Sequence, residues 1–465
     1  MNDIIQEIAE IITMEFGNQI DLLTAGGHDI SSSIIGFGEA LDKVGGILVG
    51  KAMEALNQAL VDSEERKRYW VVKNKADNKT LCTKFGQAKH ARTCFQNKIT
   101  GECCYLADEM AGLAPHDRMD TSLKAKLVEE AIDISYGKSG DSVAESLQFS
   151  PQTVMNTIRE LGEVENDEVE LSSKLPEKKK LQTLYIEADE DHVALQNGRV
   201  VEPKIVYVHE GYRQPGKDRR ELINARYFGG VYPKSEDLWL EVADYLEQVY
   251  DLDAVEHIYL SGDGASWIKS GIQWIPGSEF VLDGYHLKKY VMVATGHMPF
   301  MRRFMWEYIN EGDLDNLRFL FEAILHGTEE KSKRKAVYTA RDYILRHWEA
   351  ILKRQREDYY GCSAESHVSH IYSARMSSRP LGWSVEGADQ MARLRVFSKN
   401  GGNVYDLMMD RKRQVQVEER IERLDKRIQL KRTSSSYYMN VGNLTVLGIG
   451  KRTSLFKALS AVRAI

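Results

Sequence analysis

With 465 residues, the chain is too long for one hydrophobic core and predicts about three domains, at roughly 150 residues each. Its 43% hydrophobic and 28% charged residues are ordinary for a soluble globular protein, and no apolar run approaches the ~20 residues that cross a bilayer, which excludes a membrane protein. The net charge of −7 is unevenly distributed along the chain: residues 1–65 carry a net −10, whereas residues 374–465 carry a net +10. The basic C-terminal part is therefore able to neutralise a phosphate backbone.

The chain begins with an acidic amphipathic segment that does not resemble an export signal, so we predict a cytoplasmic protein without a membrane partner. Apolar residues at helical spacing predict a helical arm over residues 1–68, and short apolar runs between turn residues predict a small β meander over 69–120. The five cysteines form no CxxC pair, so we predict reduced thiols rather than a zinc site.

Residues 121–165 show three short helical patterns in the outline of a helix-turn-helix DNA-binding region. The third pattern has Ser150 as its N-cap, Pro151 at the first helical position and Gly162 as its stop signal. In a helix-turn-helix this helix would enter a DNA groove, which gives four candidate DNA-binding residues: Gln152, Thr153, Asn156 and Arg159. Because the segment is not strongly basic, a plain three-helix bundle is the alternative.

A charged linker then leads into a new domain. Residues 181–290 predict three strands as a meander, followed by helix, strand, helix and strand, so the predicted fold class is α/β with a mixed sheet. The pattern over 291–360 is helical throughout and predicts an all-helical insertion. Residues 361–400 return to the core with a helix, and residues 401–465 predict a basic C-terminal tail.

Three acidic residues stand at the ends of these predicted elements. Asp189 closes the apolar strand LQTLYIEAD, Asp263 closes HIYLSGD, and Glu365 opens the helical segment SAESHVSHIYSARM. Open α/β sheets place ligands just outside strand ends, and converging carboxylates can hold two divalent cations for phosphodiester chemistry. The rivals are Asp191 for the first position, and Glu386 in a predicted loop or Asp389 for the third.

Two further features accompany these acids. Asp283 is followed three residues later by His286 at the end of a buried strand, which predicts an imidazole–carboxylate pair that orients a water or a phosphate. A structural histidine is the alternative. Arg375 lies farther along the helix of Glu365, where we expect its guanidinium to hold phosphate.

Four sequence blocks carry a resemblance to a known family: YIEAD at 185–189, YLSGDGASWIK at 259–269, VLDGYHLKKY at 281–290, and GCSAESHVSHIYSARMSSRPLGW at 361–383. With these blocks the chain resembles bacterial insertion-sequence transposases of the DDE type, in the Mutator-like group with an Asp-x-x-His signature. The resemblance covers roughly residues 180–400. It implies a ribonuclease H-like core with an all-α insertion, which agrees with the predicted order of strands and helices.

By position, the resemblance implies that the metal ligands and catalytic residues are Asp189, Asp263 and Glu365, supported by Asp283, His286 and Arg375. It implies two Mg²⁺ ions, with Mn²⁺ as an alternative, and strand cleavage and strand transfer at the terminal inverted repeats of an insertion sequence. The implied partners are double-stranded DNA of the element ends and target, and further copies of the chain in a homo-oligomer. The alternatives are a structure-selective ribonuclease H-like nuclease and a catalytically inactive, transposase-derived DNA-binding regulator.

Overall fold

A computed structural model describes residues 2–26, 29–144, 146–169, 177–216, 219–379 and 381–418. Residues up to Leu407 belong to one compact unit, and a second unit begins at Met408. Most of the predicted basic tail, residues 419–465, lies outside the described part of the chain. No helix within the described ranges is long and apolar enough to cross a membrane.

The N-terminal region consists of helices that pack on a small antiparallel sheet. The helices are α1 (Asn2–Thr24), α2 (Ile30–Asp62) and α3 (Glu64–Tyr69), and the strands are β1 (Trp70–Thr83), β2 (Gly86–Asn97) and β3 (Cys103–Cys104), followed by α4 (Leu106–Met110). Helix α2 lies close to β2 because Gly50 has no side chain: a Cβ there would stand 2.5 Å from the carbonyl oxygen of Lys89. The predicted helical arm therefore packs on the predicted meander.

Three helices follow, as the helical patterns predict: α5 (Thr121–Asp133), α6 (Tyr136–Ser142) and α7 (Pro151–Leu161). The backbone N–H of Thr153 donates to the Ser150 hydroxyl at 3.1 Å, which satisfies an N–H that the first turn leaves free. Helix α7 ends at Gly162, whose φ of +80° lies in the region that favours glycine.

The central sheet has five strands. In chain order they are β4 (Thr183–Glu190), β7 (Lys204–His209), β10 (Arg226–Gly230), β11 (His257–Gly262) and β12 (Ser278–Leu282), with α8 (Ser235–Val249) after β10 and α9 (Ser266–Ser270) after β11. Across the sheet their order is β10-β7-β4-β11-β12. β10, β7 and β4 pair antiparallel, whereas β4, β11 and β12 pair parallel, which confirms a mixed sheet and the α/β class.

Two short hairpins stand apart from this sheet: β5 (Val193–Ala194) with β6 (Val200–Val201), and β8 (Tyr212–Gly216) with β9 (Arg219–Leu222). The segment VALQNGR therefore forms a hairpin around Asn197 and Gly198 and adds no strand to the central sheet.

The segment after β12 is helical, as predicted. It contains α10 (Gly284–Thr295), α11 (Met301–Glu311), α12 (Leu314–His326), α13 (Lys331–Arg346) and α14 (Trp348–Leu352). Apolar residues of these helices join one hydrophobic core with Leu184, Ile186 and Ala188 of β4 and with residues of α8. The helical insertion is thus packed into the core of the sheet on this face.

The opposite face of the sheet is covered by the chain from Asp358 onward. Because side chains alternate along a strand, Tyr185, Glu187 and Asp189 of β4 point to this second face. Over it lie α15 (Ala364–Val368), a π-helical turn (Ser369–Ser373) and α16 (Ala374–Met376); α17 (Val385–Lys399) follows and packs against β10.

Candidate functional site

Three aspartates follow one another across the parallel half of the sheet. β4 pairs with β11 with Glu187 opposite Ser261, and β11 pairs with β12 with Gly262 opposite Leu282. Continuing these registers by one or two residues places Asp189 beside Asp263, and Asp263 beside Asp283. The sheet therefore brings the two predicted strand-end ligands to one edge, with Asp283 next to them.

Asp189 is a buried acid among other acids. Only 8% of its surface is exposed, and its Oδ1 accepts a hydrogen bond from the backbone N–H of Glu190 at 2.9 Å. Burial raises the pKa of Asp189 to about 8; the N–H of Glu190 opposes this rise, and the negative charges of Glu190, Glu365 and Asp263 add to it. No described Lys or Arg forms an ion pair with Asp189, so its carboxylate has no permanently charged basic partner in direct contact.

Glu365 is positioned by a hydrogen-bond network around Glu187, which is 1% exposed. One oxygen of Glu187 accepts from His209 Nε2 at 3.0 Å, and the other accepts from the backbone N–H of Ser363 at 2.5 Å. Burial by itself would raise the pKa of Glu187, but the hydrogen bond and charge of His209, with the other donors, lower it. Since Ser363 directly precedes α15, this network holds the start of that helix over the middle of β4.

The same covering segment follows β4 toward its carboxyl end. Asp358 accepts from the Tyr259 hydroxyl at 2.8 Å, and the hydroxyls of Tyr359 and Ser261 lie 3.0 Å apart. Glu365 comes two residues after Ser363; its side chain is exposed, and its charge acts on Asp189. The structure thus places Glu365 near enough to Asp189 for its charge to act there.

The loop after β11 is supported by helix α13 of the insertion. Asp263 Oδ1 accepts from the N–H of Ala265 at 2.7 Å, and the Tyr343 hydroxyl donates to the backbone carbonyl of Asp263. Gly264 has a φ of +90°, and a Cβ at this position would lie 2.6 Å from Nε2 of His347. The close approach of α13 therefore requires glycine beside Asp263.

Asp283 and His286 form the predicted imidazole–carboxylate pair. His286 Nδ1 lies 2.9 Å from Asp283 Oδ2, and the other oxygen of Asp283 accepts the backbone N–H of His286 at 2.8 Å, which caps α10. Burial lowers the pKa of His286, but the hydrogen bond and charge of Asp283, with the charges of Asp263 and Asp189, raise it above its ordinary value. The neighbouring acids therefore stabilise the cationic form of this imidazole.

Two of the three rival acids have partners of their own, and the third lies on a helix. Asp191 is buried, and its two oxygens accept from the Ser377 hydroxyl at 3.0 and 2.8 Å. Glu386 does not lie in a loop, as its glycine neighbours suggested, because it stands in the first turn of α17. Asp389 bonds to Arg393 and to the N–H of Val231.

Arg375 does not present its guanidinium to a phosphate beside the acids, as we expected. Its side chain is 6% exposed, its Nε donates to the carbonyl of Ala131 in α5 at 3.0 Å, and its guanidinium lies 5.3 and 5.1 Å from the ring centroids of Tyr136 and Trp383. The predicted phosphate contact needs an accessible guanidinium, so this placement corrects it. Arg375 instead joins the three-helix region to the chain that covers the sheet.

Of the four candidate DNA-binding residues on α7, Gln152, Asn156 and Arg159 are exposed. Gln152 Nε2 donates to Asn156 Oδ1 at 2.8 Å. Thr153 is half-buried, and its hydroxyl lies 2.9 Å from that of the capping Ser150. Three of the four side chains are therefore open to a partner, whereas the fourth belongs to the helix cap.

Within the described ranges, no three His, Cys, Asp or Glu side chains stand close enough to hold a metal ion as they are. Asp189 and Asp263 accept from nearby backbone N–H groups, and Asp283 caps α10. The donor set around Asp189 is nevertheless made of carboxylate oxygens, which suit hard divalent cations such as Mg²⁺ and Mn²⁺.

Sequence reasoning missed the residues that position Glu365, namely Glu187, Tyr207 and His209. Tyr207 is fully buried, and its hydroxyl donates to Glu187 and lies 2.9 Å from that of Ser363. The signal was present as polar groups inside the apolar strands LYIEAD and IVYVHEGY. A charged residue in the middle of a buried strand needs partners, and here those partners are the anchor of α15.

The chain matches the family model described as "Uncharacterised protein family (UPF0236)" over residues 27–414 and belongs to that family. It is 40% identical over 460 residues to a UPF0236 protein of Caldanaerobacter subterraneus subsp. tengcongensis, which covers 98% of this chain and 96% of the relative. Another relative from that organism is 40% identical over 464 residues, covering 99% and 97%, and its name carries eleven locus designations. A "UPF0236 protein in vanSb 3'region" of Streptococcus gallolyticus is 25% identical over 367 residues, covering 76% and 79%.

Proposed function

We propose that this member of the UPF0236 family is a DNA transposase that cleaves and transfers strands at the terminal inverted repeats of its own insertion sequence. One observation carries the proposal. Asp189 and Asp263 end adjacent parallel strands, and Glu365 lies on the helix anchored over their face, close enough for its charge and that of Asp263 to act on Asp189. Carboxylates converging in this manner are the minimal protein apparatus for metal-dependent phosphoryl transfer.

The topology of the sheet supports a ribonuclease H-like core. Its first three strands form the antiparallel meander β4-β7-β10, and β11 and β12 then add in parallel on the other side of β4. This is the order that the resemblance implies, with the first acid on the first strand and the second acid on the fourth. Helices α10 to α14 lie between Asp263 and Glu365 in the sequence, where the resemblance implies an all-helical insertion.

Asp189, Asp263 and Glu365 would hold two Mg²⁺ ions, with Mn²⁺ as an alternative. The fit rests on their oxygen donors and on the burial of Asp189 among other acids, where a bound cation would stabilise its charged form. Bound ions supply charge neutralisation at the phosphate and activation of an attacking water or 3′ hydroxyl. Because like charges repel, carboxylates without a cation keep apart, which is consistent with the separate local hydrogen bonds of Asp189 and Asp263.

The other residues of the site act by positioning. Glu187 holds the start of α15, and hence Glu365, through Ser363. The Asp283–His286 pair places an imidazole, whose pKa the acids raise, where it can orient a phosphate or a water. With ions held by these carboxylates to activate the nucleophile, the chemistry would require no histidine base.

Three further observations support DNA as the substrate. Helix α7 presents Gln152, Asn156 and Arg159 on an exposed face, as a groove-binding helix would. The C-terminal part of the chain is basic. The eleven locus designations in one relative's name are what a sequence repeated within one genome would carry, and repetition is expected of a mobile element. Since two element ends must be brought together, we propose a homo-oligomer.

A strand-cleavage and strand-transfer assay tests the proposal, using a labelled duplex that carries the element end with Mg²⁺. Asp263→Ala and Glu365→Ala should each abolish both products. Glu386→Ala is the matched control, because Glu386 is also an exposed glutamate in the first turn of a helix, and it should retain activity.

Three outcomes would contradict the proposal. Undiminished strand transfer by Asp263→Ala would remove the carboxylates from the chemistry. Cleavage of supercoiled plasmid without element ends would favour a structure-selective nuclease. Specific binding of the ends without cleavage under any divalent ion would favour a catalytically inactive DNA-binding regulator.

A further inference from the structure

A groove of about 920 Å³ lies beside the helix that carries Glu365. Ser363, Ser366 and His367 of that segment line it, and so do residues of the first turn of α10, which begins next to Asp283. Because residues three or four apart share one face of a helix, α15 turns these side chains to the groove while Glu365 stands on another part of its surface. The groove is therefore adjacent to the acidic residues but is lined by different groups.

The groove is strongly cationic. Its lining includes the four basic residues Arg220, Lys288, Arg354 and Lys399. None of them forms an ion pair with any residue that the structure describes, and Nε of Arg354 is buried without a hydrogen-bond partner. The acid in the lining, Glu221, is paired with Arg213 at 2.9 Å. Unpaired cations gathered around one groove attract an anionic ligand.

The groove also presents aromatic rings. Tyr285 and Tyr360 line it and are 54% and 56% exposed, a large exposure for aromatic residues. Tyr227 lies deeper, and Nζ of Lys399 stands 5.6 Å from its ring centroid. Open ring faces next to cations suit a ligand in which flat bases alternate with phosphates, because bases stack on aromatic rings while phosphates meet the charges.

We propose that this groove, which we name the Tyr285 groove, binds a short single-stranded segment of DNA next to the reacting phosphate. A volume of about 920 Å³ falls in the ~300–1,000 Å³ range of sites that enclose a small ligand, which suits an unpaired segment rather than a duplex. The inference rests on the proposed function, since it names the form in which the DNA strand lies beside the acidic site.

The test is the binding of a fluorescent oligothymidylate by the full-length protein in EDTA, where the divalent ions proposed for the acidic site are removed. Tyr285→Ala should weaken binding about tenfold through the loss of one stacking platform. Lys288→Gln should weaken binding and reduce the slope of log K against log salt by about 0.7, the value for one phosphate contact of a single strand. A duplex of random sequence should show a much smaller change with both variants.

The controls are matched in position and exposure. Lys289→Gln changes the next exposed lysine of α10, which does not line the groove, and Tyr405→Ala removes a tyrosine that is 41% exposed elsewhere. Both should bind single strands within twofold of the wild type. Melting curves and circular dichroism establish that every variant is folded.

Wild-type affinity for single strands in Tyr285→Ala and Lys288→Gln would overturn the inference. The inference would also be overturned if Lys288→Gln weakened the binding of single strands and of heparin equally while Tyr285→Ala had no effect, because the groove would then be a site for anions alone. Asp263→Ala should bind the oligonucleotide normally in EDTA. If Tyr285→Ala and Lys288→Gln bind single strands like the wild type while the wild type cleaves element ends, only the groove is refuted. If both variants weaken single-strand binding as expected while Asp263→Ala cleaves undiminished, only the proposed function is refuted.

Discussion

Replacing Asp189 by asparagine should make the metal-free protein more stable at alkaline pH. Asparagine keeps the size of the side chain and an oxygen that can accept from the N–H of Glu190, but it carries no charge. Asp189 is buried among like charges, and its pKa is raised from 3.8 to about 8. Removing the charge therefore removes an unfavourable group from the folded protein.

The magnitude follows from the pKa. For an acid whose pKa is higher in the folded than in the unfolded protein, the folded state binds more protons between the two pKa values, so stability falls as pH rises from about 4 to about 8. At about 1.4 kcal/mol for each pKa unit, the upper limit at pH 8 is about 5 kcal/mol. Since water entry relaxes a site at the edge of a sheet, we expect Asp189→Asn to gain about 1–3 kcal/mol over the wild type at pH 8.5 and much less at pH 5.

The assay is urea denaturation in EDTA at pH 5, 7 and 8.5. Asp191→Asn is the matched control, because Asp191 lies two residues away and is similarly buried, but its carboxylate accepts from the Ser377 hydroxyl; asparagine keeps only one of the two accepting oxygens and should not stabilise the protein at any of these pH values. Addition of Mg²⁺ at pH 8.5 should stabilise the wild type and leave Asp189→Asn unchanged. A parallel pH dependence of stability in the wild type and Asp189→Asn would refute the reasoning.

Three further variants test the supports of the site. Gly264→Ala places a Cβ 2.6 Å from His347 at a positive φ and should cost about 1–3 kcal/mol of stability, measured by thermal melting; an unchanged melting temperature would contradict the close approach of α13. Glu187→Gln should leave binding of element ends within about threefold but lower the cleavage rate at least tenfold, because the anchor of α15 is weakened; equal rates would remove Glu187 from positioning. Arg375→Met should lower stability by about 1–3 kcal/mol through the lost contacts to Ala131 and two rings, whereas unchanged stability with weaker DNA binding would restore the phosphate role.

The sequence was sufficient for those parts of the molecule whose local chemistry decides their structure. The cap at Ser150 and the stop at Gly162 bound α7, and the apolar run before Asp189 forms β4. The Asp283–His286 pair was also predictable, because both residues belong to one helix turn and need no distant partner. In each of these cases the deciding contacts lie within a few residues along the chain.

Tertiary contacts decided the rest. Arg375 was expected near phosphate from its position on the helix of Glu365, but rings and a carbonyl from elements far away in sequence surround it. Glu187 looked like an ordinary strand residue, and its role depends on Ser363, which is 176 residues away. Glycines around Glu386 suggested a loop, yet Ser384 caps a helix there. Such partners are not visible in local patterns, because the fold brings them together.

Anomalous diffraction from crystals of the protein grown with Mn²⁺ tests the central claim most directly, because Mn²⁺ suits the same oxygen ligands as Mg²⁺ and scatters strongly enough to be located. The account predicts anomalous peaks coordinated by the carboxylates of Asp189 and Asp263, with Glu365 as a further ligand, and no such peak in crystals of Asp189→Asn. Mn²⁺ bound only at other residues, or peaks at this site that persist in Asp189→Asn, would contradict it.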